Sequence, residues 1–564
     1  MVGSCSKLAI LCALPAWMVG TSAFADEPLP RLVLQITVDQ LRGDLIDRNL
    51  KHFGEGGFRY LLENGAYFTD AHHRHANTET IVGHTTLATG TDPAIHGMVA
   101  NLWFDRATGT PYYNVQDPNY PLLAQSGVDQ STEIDPTQRA ATSDGRSPNA
   151  ILSSTLSDEI TIGIAGKPKI FGVSVKDRGA ISMAGHTGTA YWFSKSVGSF
   201  VTSSYYMDTY PDWVNAWNGA GHVDAYADTE WTLKDTPTTY RFLEMDDAEW
   251  ETDFPGYGRV FPHPFGPRAN KYYTTLLTLS PAGDELTAAF AKTLLDNETL
   301  GQDEVTDYLA VSFSSTDYVG HIFGPSSLEA EDNLRRLDRT IAGLLAHVDQ
   351  AVGLENTFVV LAADHGAAEV PGYLNSLGIP ASYFNFDNVD TGPAAEALKS
   401  EFGVARELIA NFSQPYVYLD DKLIAEKGLE KAVVSRRLAD ELRKMPGIAY
   451  AISSDDLRSG RVAKTPLSDA VLANFHSERS GDVYIVFEPH WFVGDFDGLT
   501  VASHHGSPWT YDTHVPMIFS GPGITPKRIA RRVETVDLAP TMAAYLRIKA
   551  PSGSLGKVLQ EVLP

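Results

Sequence analysis

The segment from Thr78 to Asn101 carries a hydroxyl group that is well placed to attack a substrate. Residues 83–89 have the pattern of a short helix, and Gly90 is placed to end it. Thr80 lies just before this predicted helix, whose free backbone N–H groups would point at an anion near the threonine hydroxyl. A threonine hydroxyl is a poor nucleophile at neutral pH, so a base or a metal ion would have to activate it.

Acidic and imidazole side chains lie at the ends of several predicted strands. They are Asp39, Asp317 with His321, Asp364 with His365, and the pair His504 and His505. Their oxygen and nitrogen atoms suit Zn²⁺. A single Asp at a strand end is usually a turn former or a helix cap. However, Asp364 and His365 directly follow a buried strand, and Asp317 and His321 converge if their segment turns, so together these residues predict a centre with ligands enough for two ions.

Strands and helices that would position these residues alternate along the chain. Apolar runs of strand length cover residues 31–38, 67–71, 169–175, 307–314, 357–363, 483–487 and 515–520, and helical patterns cover 149–162, 282–296, 327–352 and 538–546. This order predicts an α/β fold with a central, mostly parallel sheet flanked by helices. Ligands of such sheets gather at the carboxyl ends of the strands. Ser326 and Glu329 are predicted to form a capping box for the longest helix.

Two stretches interrupt this alternation and are predicted to be inserted cap segments of one large catalytic domain. Residues 188–273 are rich in Trp, Tyr, Gly and Pro, and we expect strands and long loops that cover the site. Residues 371–481 contain a predicted strand at 416–419 and a predicted helix at 429–444. No internal repeat or flexible linker divides the chain.

The first 25 residues have the features of a cleaved signal peptide. Lys7 precedes an apolar run over residues 8–19, and Ala23-Phe24-Ala25 fits a cleavage site before Asp26. The run is short for a membrane span. We therefore expect a mature catalytic domain of residues 26–564 that is periplasmic or secreted. Both cysteines, at positions 5 and 12, lie inside this signal, which excludes disulfides, thiolate metal sites and cysteine nucleophiles from the mature chain.

The chain carries a formal net charge of −26 at pH 7. A field of this sign repels nucleic acids and anionic membranes, so we expect neither as a partner. It does not exclude an anionic substrate, because a few cations and metal ions can dominate the potential of a cleft. We expect the protein to be a monomer.

These residues resemble the alkaline phosphatase superfamily over nearly the whole mature chain. Thr80 to Asn101, with Thr89-Gly90, Pro93 and His96-Gly97 between them, looks like the nucleophile segment of that family, and Asp39, Asp317 with His321, Asp364-His365 and His505-Gly506-Ser507 follow its chain order. The motif Val175-Lys176-Asp177-Arg178 is similar to the phosphate-irrepressible bacterial alkaline phosphatases, which use a threonine nucleophile and a Lys/Arg pair.

The resemblance implies a fold, a pair of metal ions and a set of roles. One Zn²⁺ would be held by Asp39, Asp364, His365 and the Thr80 oxygen, and a second by Asp317, His321 and His505. His505 is preferred to its neighbours His504 and His514 because it belongs to the His-Gly pair. Asn101, Lys176 and Arg178 would contact the phosphoryl oxygens, and Thr80 would form a phosphothreonine. The implied activity is hydrolysis of diverse small-molecule phosphate monoesters, and the resemblance leaves open an additional structural cation such as Ca²⁺.

Other functions fit parts of the same pattern. A nucleotide pyrophosphatase or phosphodiesterase would share the Thr80 segment and the metal ligands, but a monoester dianion matches the two cations Lys176 and Arg178 better than a singly charged diester does. A sulfatase would place cysteine or serine where Thr80 stands, and no Gly-x-Ser-x-Gly elbow indicates a metal-independent esterase. An exported binding protein of the same fold is the alternative outside enzymes. For Lys176-Asp177-Arg178 alone, the alternative is a solvated charged turn.

Overall fold

A ten-stranded sheet organises the chain in the computed structural model, which describes residues 28–123, 127–386, 389, 392–496 and 498–564 together with residues 1 and 3. From one edge to the other its strands are Lys527–Ile529, Gly65–His72, His514–Ser520, Thr357–Ala362, Leu32–Val38, Asp307–Phe313, Ile170–Ser174, Thr189–Ser194 and Ser199–Val201, and Val533–Glu534 also pairs with Gly65–His72. The predicted signal peptide of residues 1–25 lies outside the described residues, apart from residues 1 and 3.

The middle of this sheet is parallel. Strand Leu32–Val38 pairs in parallel with Asp307–Phe313 on one side and with Thr357–Ala362 on the other, and Ile170–Ser174 continues the parallel block. All four strands are buried throughout and rich in branched side chains, as expected for strands covered on both faces. Because parallel strands share a direction, the residues that follow all four meet at one edge of the sheet.

Helices cover both faces of the sheet. Along Leu32–Val38, Leu34 and Ile36 face one apolar core and Val33 faces the other, which follows from the alternation of side chains along a strand. Helices Pro281–Asn297 and Leu328–Ala351 pack into the first core. Three helices pack into the second, namely Thr80–Thr89, Leu156–Gly163 and Leu538–Tyr545. The predicted α/β class and mostly parallel sheet are confirmed.

The remaining α-helices of the described residues are shorter or lie in the connecting segments. They are Leu45–Asn49, Phe58–Asn64, Pro93–His96, Pro136–Arg139, Asp177–Ala184, Asp212–Gly219, Tyr273–Thr278, Ser315–Phe323, Pro371–Ser376, Pro393–Phe402, Asp421–Glu426, Lys431–Leu442, Ser454–Arg458, Pro466–Asn474 and Thr510–Thr513. Among the described residues, no helix is both long enough and apolar enough to cross a membrane.

The second predicted insertion has a sheet and a core of its own. Strands Ile409–Ser413, Tyr416–Leu419, Val483–Phe487 and Ile448–Ser453 form a four-stranded sheet in that order. Helix Lys431–Leu442 packs on it through Val434 and Leu438. The first predicted insertion differs from the expectation, because its strands Thr189–Ser194 and Ser199–Val201 complete the edge of the central sheet.

Short two-stranded ribbons make up the other strands of the described residues. They pair Leu102–Asp105 with Thr110–Tyr113, Glu230–Trp231 with His263–Pro264, Ser382–Tyr383 with Trp491–Phe492, and Asp495–Phe496 with Leu499–Thr500.

Two helices begin at residues that differ from the sequence prediction, and in each a capping side chain sets the start. The longest helix is capped by Ser327, whose hydroxyl accepts a hydrogen bond from the N–H of Ala330 at 3.0 Å, so the predicted capping box of Ser326 and Glu329 is wrong. The predicted helix at 149–162 begins only at Leu156, because Thr155 and Asp158 form a reciprocal capping box there.

Candidate active site

Thr80 is the first residue of helix Thr80–Thr89 and is fully buried. The helix begins three residues earlier than its apolar pattern predicts, and Glu79 at the N-cap position has an extended backbone. Gly83 in the next turn packs directly on the loop after strand Thr357–Ala362, where an added Cβ would lie 2.0 Å from the carbonyl oxygen of Asp364. Only glycine allows this approach, which brings the threonine next to the acidic residues at the strand ends.

Asp39, Asp364 and His365 converge beside this helix. Each offers one ligand atom to a group whose atoms all lie within 4.8 Å of one another. The Nε2 of His365 is 3.4 Å from Oδ1 of Asp39 and 3.3 Å from Oδ2 of Asp364. The Oδ1 of Asp39 and Nε2 of His365 are buried without a hydrogen-bond partner, whereas Oδ2 of Asp39 lies 2.8 Å from Nζ of Lys176 and Oδ2 of Asp364 lies 3.0 Å from Nδ1 of His84. Such groups are costly to bury unless something binds them.

A second set forms around Asp317 on helix Ser315–Phe323. The Oδ1 of Asp317 is 3.3 Å from Nε2 of His321, one helical turn later, and 3.4 Å from Nε2 of His505. Residues 317–321 are therefore helical. Residues four positions apart share one face of a helix, which explains why the side chains of Asp317 and His321 converge.

The imidazole rings of both sets are oriented by backbone carbonyl groups. The Nδ1 of His321 donates to the carbonyl of Ser503 at 2.8 Å, that of His505 to Thr78 at 2.8 Å, and that of His365 to Gly366 at 2.9 Å. A carbonyl can only accept, so each ring is protonated on Nδ1, and Nε2 is the ring atom that faces the carboxylates. Metal-binding histidines in proteins are held in the same way.

Lys176 and Arg178 point at the Thr80 hydroxyl from the end of strand Ile170–Ser174. The Nζ of Lys176 is 3.3 Å and Nη2 of Arg178 is 3.5 Å from Oγ1 of Thr80. Both side chains are buried, so the alternative of a solvated charged turn is wrong. Burial alone would lower the pKa of Lys176, but the carboxylates of Asp317 and Asp39 outweigh it and raise the pKa above its usual value. The lysine is therefore a buried cation.

Asn101 reaches the same site from the end of the Thr80 segment. Its side-chain Oδ1 accepts a hydrogen bond from the backbone N–H of Ile81 at 3.2 Å. The backbone N–H of Asn101 donates to a carboxylate oxygen of Glu79. Asn101, Glu79, Arg178, His321 and His505 all line one pocket of about 280 Å³. The structure thus brings together every residue for which the sequence predicted a site role.

His504 and His514, the two histidines to which His505 is preferred, have different positions. His504 lines the pocket beside His321 and His505, and its Nδ1 has no hydrogen-bond partner. His514 lies apart from these ligands, at the start of strand His514–Ser520, where its ring stacks on His72 with centroids 4.9 Å apart.

Three supporting residues carried no signal in the sequence. Gln40 donates from its backbone to Oδ1 of Asp364 at 3.1 Å and from its side chain to Oδ1 of Asp317 at 2.8 Å, and so links the two ligand sets. It does so with a φ of +67°, which is strained for a residue with a side chain. His84 contacts Asp364, and Asp135 pairs with Arg178 at 2.8 Å. No local motif marks any of them, because their partners lie far away in the sequence.

The outer wall of the pocket is apolar. It is formed by Leu102, Ile134, Pro136, Ile322, Phe412, Val493, Phe496, Leu499 and Val501. None of the lining residues belongs to segment 188–273, so the expectation that this aromatic-rich segment covers the site is wrong. Its aromatic residues, such as Phe193, Phe200 and Trp213, pack instead against the core of the sheet. A substrate would enter past helix Pro136–Arg139 and the ribbon that contains Phe496.

Comparisons with known proteins agree with this geometry. The model of a family described as type I phosphodiesterase / nucleotide pyrophosphatase matches residues 33–514. A Myroides odoratus protein named calcium-transporting ATPase is 34% identical over 95% of this chain and 95% of its own length. Alkaline phosphatase PafA of Elizabethkingia meningoseptica is 33% identical over 97% of both chains.

A solved structure matches the fold as well. The crystal structure of wild-type alkaline phosphatase PafA aligns with a TM-score of 0.86 at 32% sequence identity, and the alignment covers 95% of this chain and 99% of that chain. The likeness therefore extends over the central sheet and the inserted segments alike.

Proposed function

This chain belongs to the alkaline phosphatase superfamily and is a phosphate monoester hydrolase, and we propose that it works with two Zn²⁺ ions and with Thr80 as its nucleophile. The observation that carries the proposal is the placement of two buried cations, Lys176 and Arg178, at 3.3 and 3.5 Å from the Thr80 hydroxyl. A phosphate monoester carries two negative charges on three free oxygens, which two cations beyond the metal ions can balance.

The residues present fit zinc. Asp39, Asp364, His365 and the Thr80 oxygen would hold one ion, and Asp317, His321 and His505 the other. These are carboxylate oxygens and imidazole nitrogens, the donors that Zn²⁺ takes in catalytic sites, and two of them, Oδ1 of Asp39 and Nε2 of His365, are buried without a hydrogen-bond partner. When bound, zinc supplies positive charge that stabilises the threonine alkoxide and the departing alkoxide.

The protein groups would carry out two successive displacements at phosphorus. Thr80 Oγ1 attacks the phosphorus in line, the P–O bond to the alcohol breaks, and a phosphothreonine forms. Lys176, Arg178 and Asn101 hold the non-bridging oxygens during this step, the arginine through two N–H groups and the lysine as a compact charge. Water then attacks from the vacated side, which releases phosphate and restores the hydroxyl. Two inversions give net retention at phosphorus.

A phosphodiesterase is the second candidate, because the matching family model is described by that activity. Lys176 and Arg178 argue against it, since a diester has one charge and one more substituent to accommodate. The comparison that decides is kcat/KM for an aryl phosphate monoester and the matching diester, with zinc supplied and with a chelator. Lys176→Ala and Arg178→Ala should lower monoester hydrolysis far more than diester hydrolysis. Equal losses on both substrates would contradict the phosphoryl-binding role of this pair.

The nucleophile is tested separately. Thr80→Ala should abolish nearly all turnover. Its zinc content, measured by elemental analysis, should stay close to the wild-type value because the six proposed Asp and His ligands remain. Quenched reactions with labelled substrate should yield a phosphorylated wild-type chain and an unlabelled Thr80→Ala chain. Full activity of Thr80→Ala would refute the assignment. A well-folded, zinc-free and inactive wild-type protein would instead favour a binding protein of the same fold.

The cellular setting is proposed on the sequence alone. The charged start, apolar run and Ala-Phe-Ala site of residues 1–25 support export and cleavage, which would place the mature protein in the periplasm or outside the cell. We propose a monomer acting on diverse small-molecule phosphate monoesters. Sequencing of the mature N-terminus from the exported fraction tests the first part, and a start near Asp26 is the expected result.

A further inference from the structure

Three potential metal ligands lie together on the antiparallel side of the central sheet, apart from the active-site ligands. They are Asp70 and His72 on strand Gly65–His72 and His514 on the antiparallel strand His514–Ser520. One ligand atom from each side chain lies within 4.8 Å of the other two. Of the two neighbours to which His505 is preferred, His504 and His514, only His514 lies apart from the active-site ligands.

Strand geometry explains why these side chains meet. His72 and His514 are direct partners in the register of the two strands, so their side chains project from the same face. The register shifts between Phe68 and Ala71, where an irregularity re-aims the side chain of Asp70 toward His72. The Nε2 of His72 is 2.8 Å from Oδ1 of Asp70, and the two rings stack at 4.9 Å.

In each histidine, one ring nitrogen contacts an oxygen atom outside the cluster, and the other ring nitrogen faces the cluster. The Nε2 of His514 donates to the carbonyl oxygen of Thr69 at 2.9 Å, so its Nδ1 carries the lone pair. The Nε2 of His72 hydrogen-bonds to Asp70 in the absence of a metal ion, and its Nδ1 lies 3.3 Å from the hydroxyl of Thr513, which can accept the ring proton when an ion binds at Nε2. Both rings thus have the outward hydrogen bond that orients metal-binding histidines.

The cluster is rigid on one side and open on the other. Gly43 packs against the ring of His514, where an added Cβ would lie 2.6 Å from Cε1 and Nε2. The side chain of His72 is 5% exposed, whereas that of Asp70 is 42% exposed. Solvent can reach the carboxylate side.

We propose that Asp70, His72 and His514 form a third divalent transition-metal site, which binds Zn²⁺ through one carboxylate oxygen and two imidazole nitrogens. Two histidines and a carboxylate with one position left to water are a common zinc ligand set. The charge of the nearby Arg532 and the exposure of Asp70 make this site weaker than the buried active site. It exchanges its ion with the solvent and does not take part in the reaction of Thr80.

Zinc binding to variants of the whole mature protein tests the proposal. Chelated wild-type protein, His514→Gln and Asp70→Asn are equilibrated with buffered zinc over a range of free concentrations, and bound zinc is measured by elemental analysis. His347→Gln is the matched control. The ring of His347 also contacts a surface carboxylate, that of Asp296 at 2.8 Å, but among the described residues no third potential metal ligand joins this pair. Wild type and control should bind one zinc more than the other two variants.

The difference in zinc content is independent of how many ions the active site holds. Activity at saturating zinc should be equal in all four proteins, which shows that the variants are folded. Titration with Co²⁺ provides a second reading, since wild type and His347→Gln should take up one equivalent more, with added visible absorption, than His514→Gln and Asp70→Asn. Identical zinc and cobalt titrations of wild type, His514→Gln and Asp70→Asn would overturn the site.

Discussion

The Nδ1 atom of His84 lies 3.0 Å from Oδ2 of Asp364, and the opposite nitrogen of the same ring lies 2.8 Å from the hydroxyl of Ser312. Burial alone would lower the pKa of His84, but the charges of Asp364 and Asp39 outweigh it and raise the pKa. The Nδ1 also lies 2.9 Å from the carbonyl oxygen of Thr80. One ring therefore contacts both a proposed metal ligand, Asp364, and the backbone of the proposed nucleophile, Thr80.

His84→Asn should weaken zinc binding, because Asp364 loses the partner that orients its carboxylate. Loss of such a partner typically costs about 10–100-fold in metal affinity or activity. The expected signature is a rise in the free zinc concentration needed for half-maximal activity, with kcat largely restored at saturating zinc. The surface variant His347→Asn is the control. A lower kcat with no change in zinc dependence would show that His84 acts on Thr80 alone.

Asp135→Asn should reduce monoester hydrolysis through Arg178. The carboxylate of Asp135 is 2.8 Å from Nη1 of Arg178, and although burial would raise the pKa of Asp135, Arg178 holds it well below its usual range. Without this charge the guanidinium loses its fixed orientation, and we expect kcat/KM to fall by about tenfold, the equivalent of ~1.4 kcal/mol. In an Arg178→Ala background the same change should have little further effect. Additive losses in this double-mutant cycle would show that Asp135 acts by another route.

Much of the site could be predicted because its residues follow strands in the sequence. Asp39, Asp317, Lys176 and Asp364 each come within four residues of a buried parallel strand, and four such strands lie side by side. Their convergence is a consequence of topology. A resemblance to known enzymes supplied the roles, whereas spacing alone supplied only the ligand types.

The supporting residues could not be predicted in this way. Gln40 reaches Asp364 from 324 positions away, Asp135 reaches Arg178 from 43, and His84 reaches Ser312 from 228 in addition to its local contact with Thr80, so no local pattern identifies these side-chain contacts. The expected position of segment 188–273 over the site is wrong for a related reason. Aromatic composition indicates that side chains are buried, but it does not indicate which part of the protein they pack against.

Phe496→Ala should lower kcat/KM for aryl phosphates more than for small alkyl phosphates. Phe496, Leu499 and Ile134 form the apolar wall outside the phosphoryl site, and an aromatic leaving group would bury surface against them. Truncation of one partly buried ring is worth roughly 1–2 kcal/mol, or about a 5–30-fold loss. Inhibition by inorganic phosphate should not change, because phosphate has no leaving group. Leu377→Ala, at a position that is 58% exposed, is the control. A parallel loss for both esters would place the effect on the phosphoryl site.

The pair of His186 and Asp158 should make stability depend on pH away from the active site. The Nδ1 of His186 lies 2.8 Å from Oδ2 of Asp158, and its Nε2 donates to the carbonyl of Ile151 at 3.2 Å, so both ring nitrogens face acceptors. The hydrogen bond to Asp158 raises the pKa of His186 despite burial. Burial would raise the pKa of Asp158, but the hydrogen bonds from His186 and Thr155 lower it. The folded state therefore favours the charged form of both groups.

This pair stabilises the fold in a window of pH. The contribution of His186 is complete below the unfolded pKa of about 6.5 and is lost as the pH rises through its raised value, and that of Asp158 is lost as the pH falls through its lowered value. His186→Gln should therefore reduce the free energy of unfolding at pH 5 by about 1–2 kcal/mol, the worth of a charged hydrogen bond, and by much less at pH 9. Urea midpoints of both proteins at the two pH values measure this. A gap of the same size at pH 5 and pH 9 would show that His186 contributes through packing, since packing does not depend on the charge of the ring.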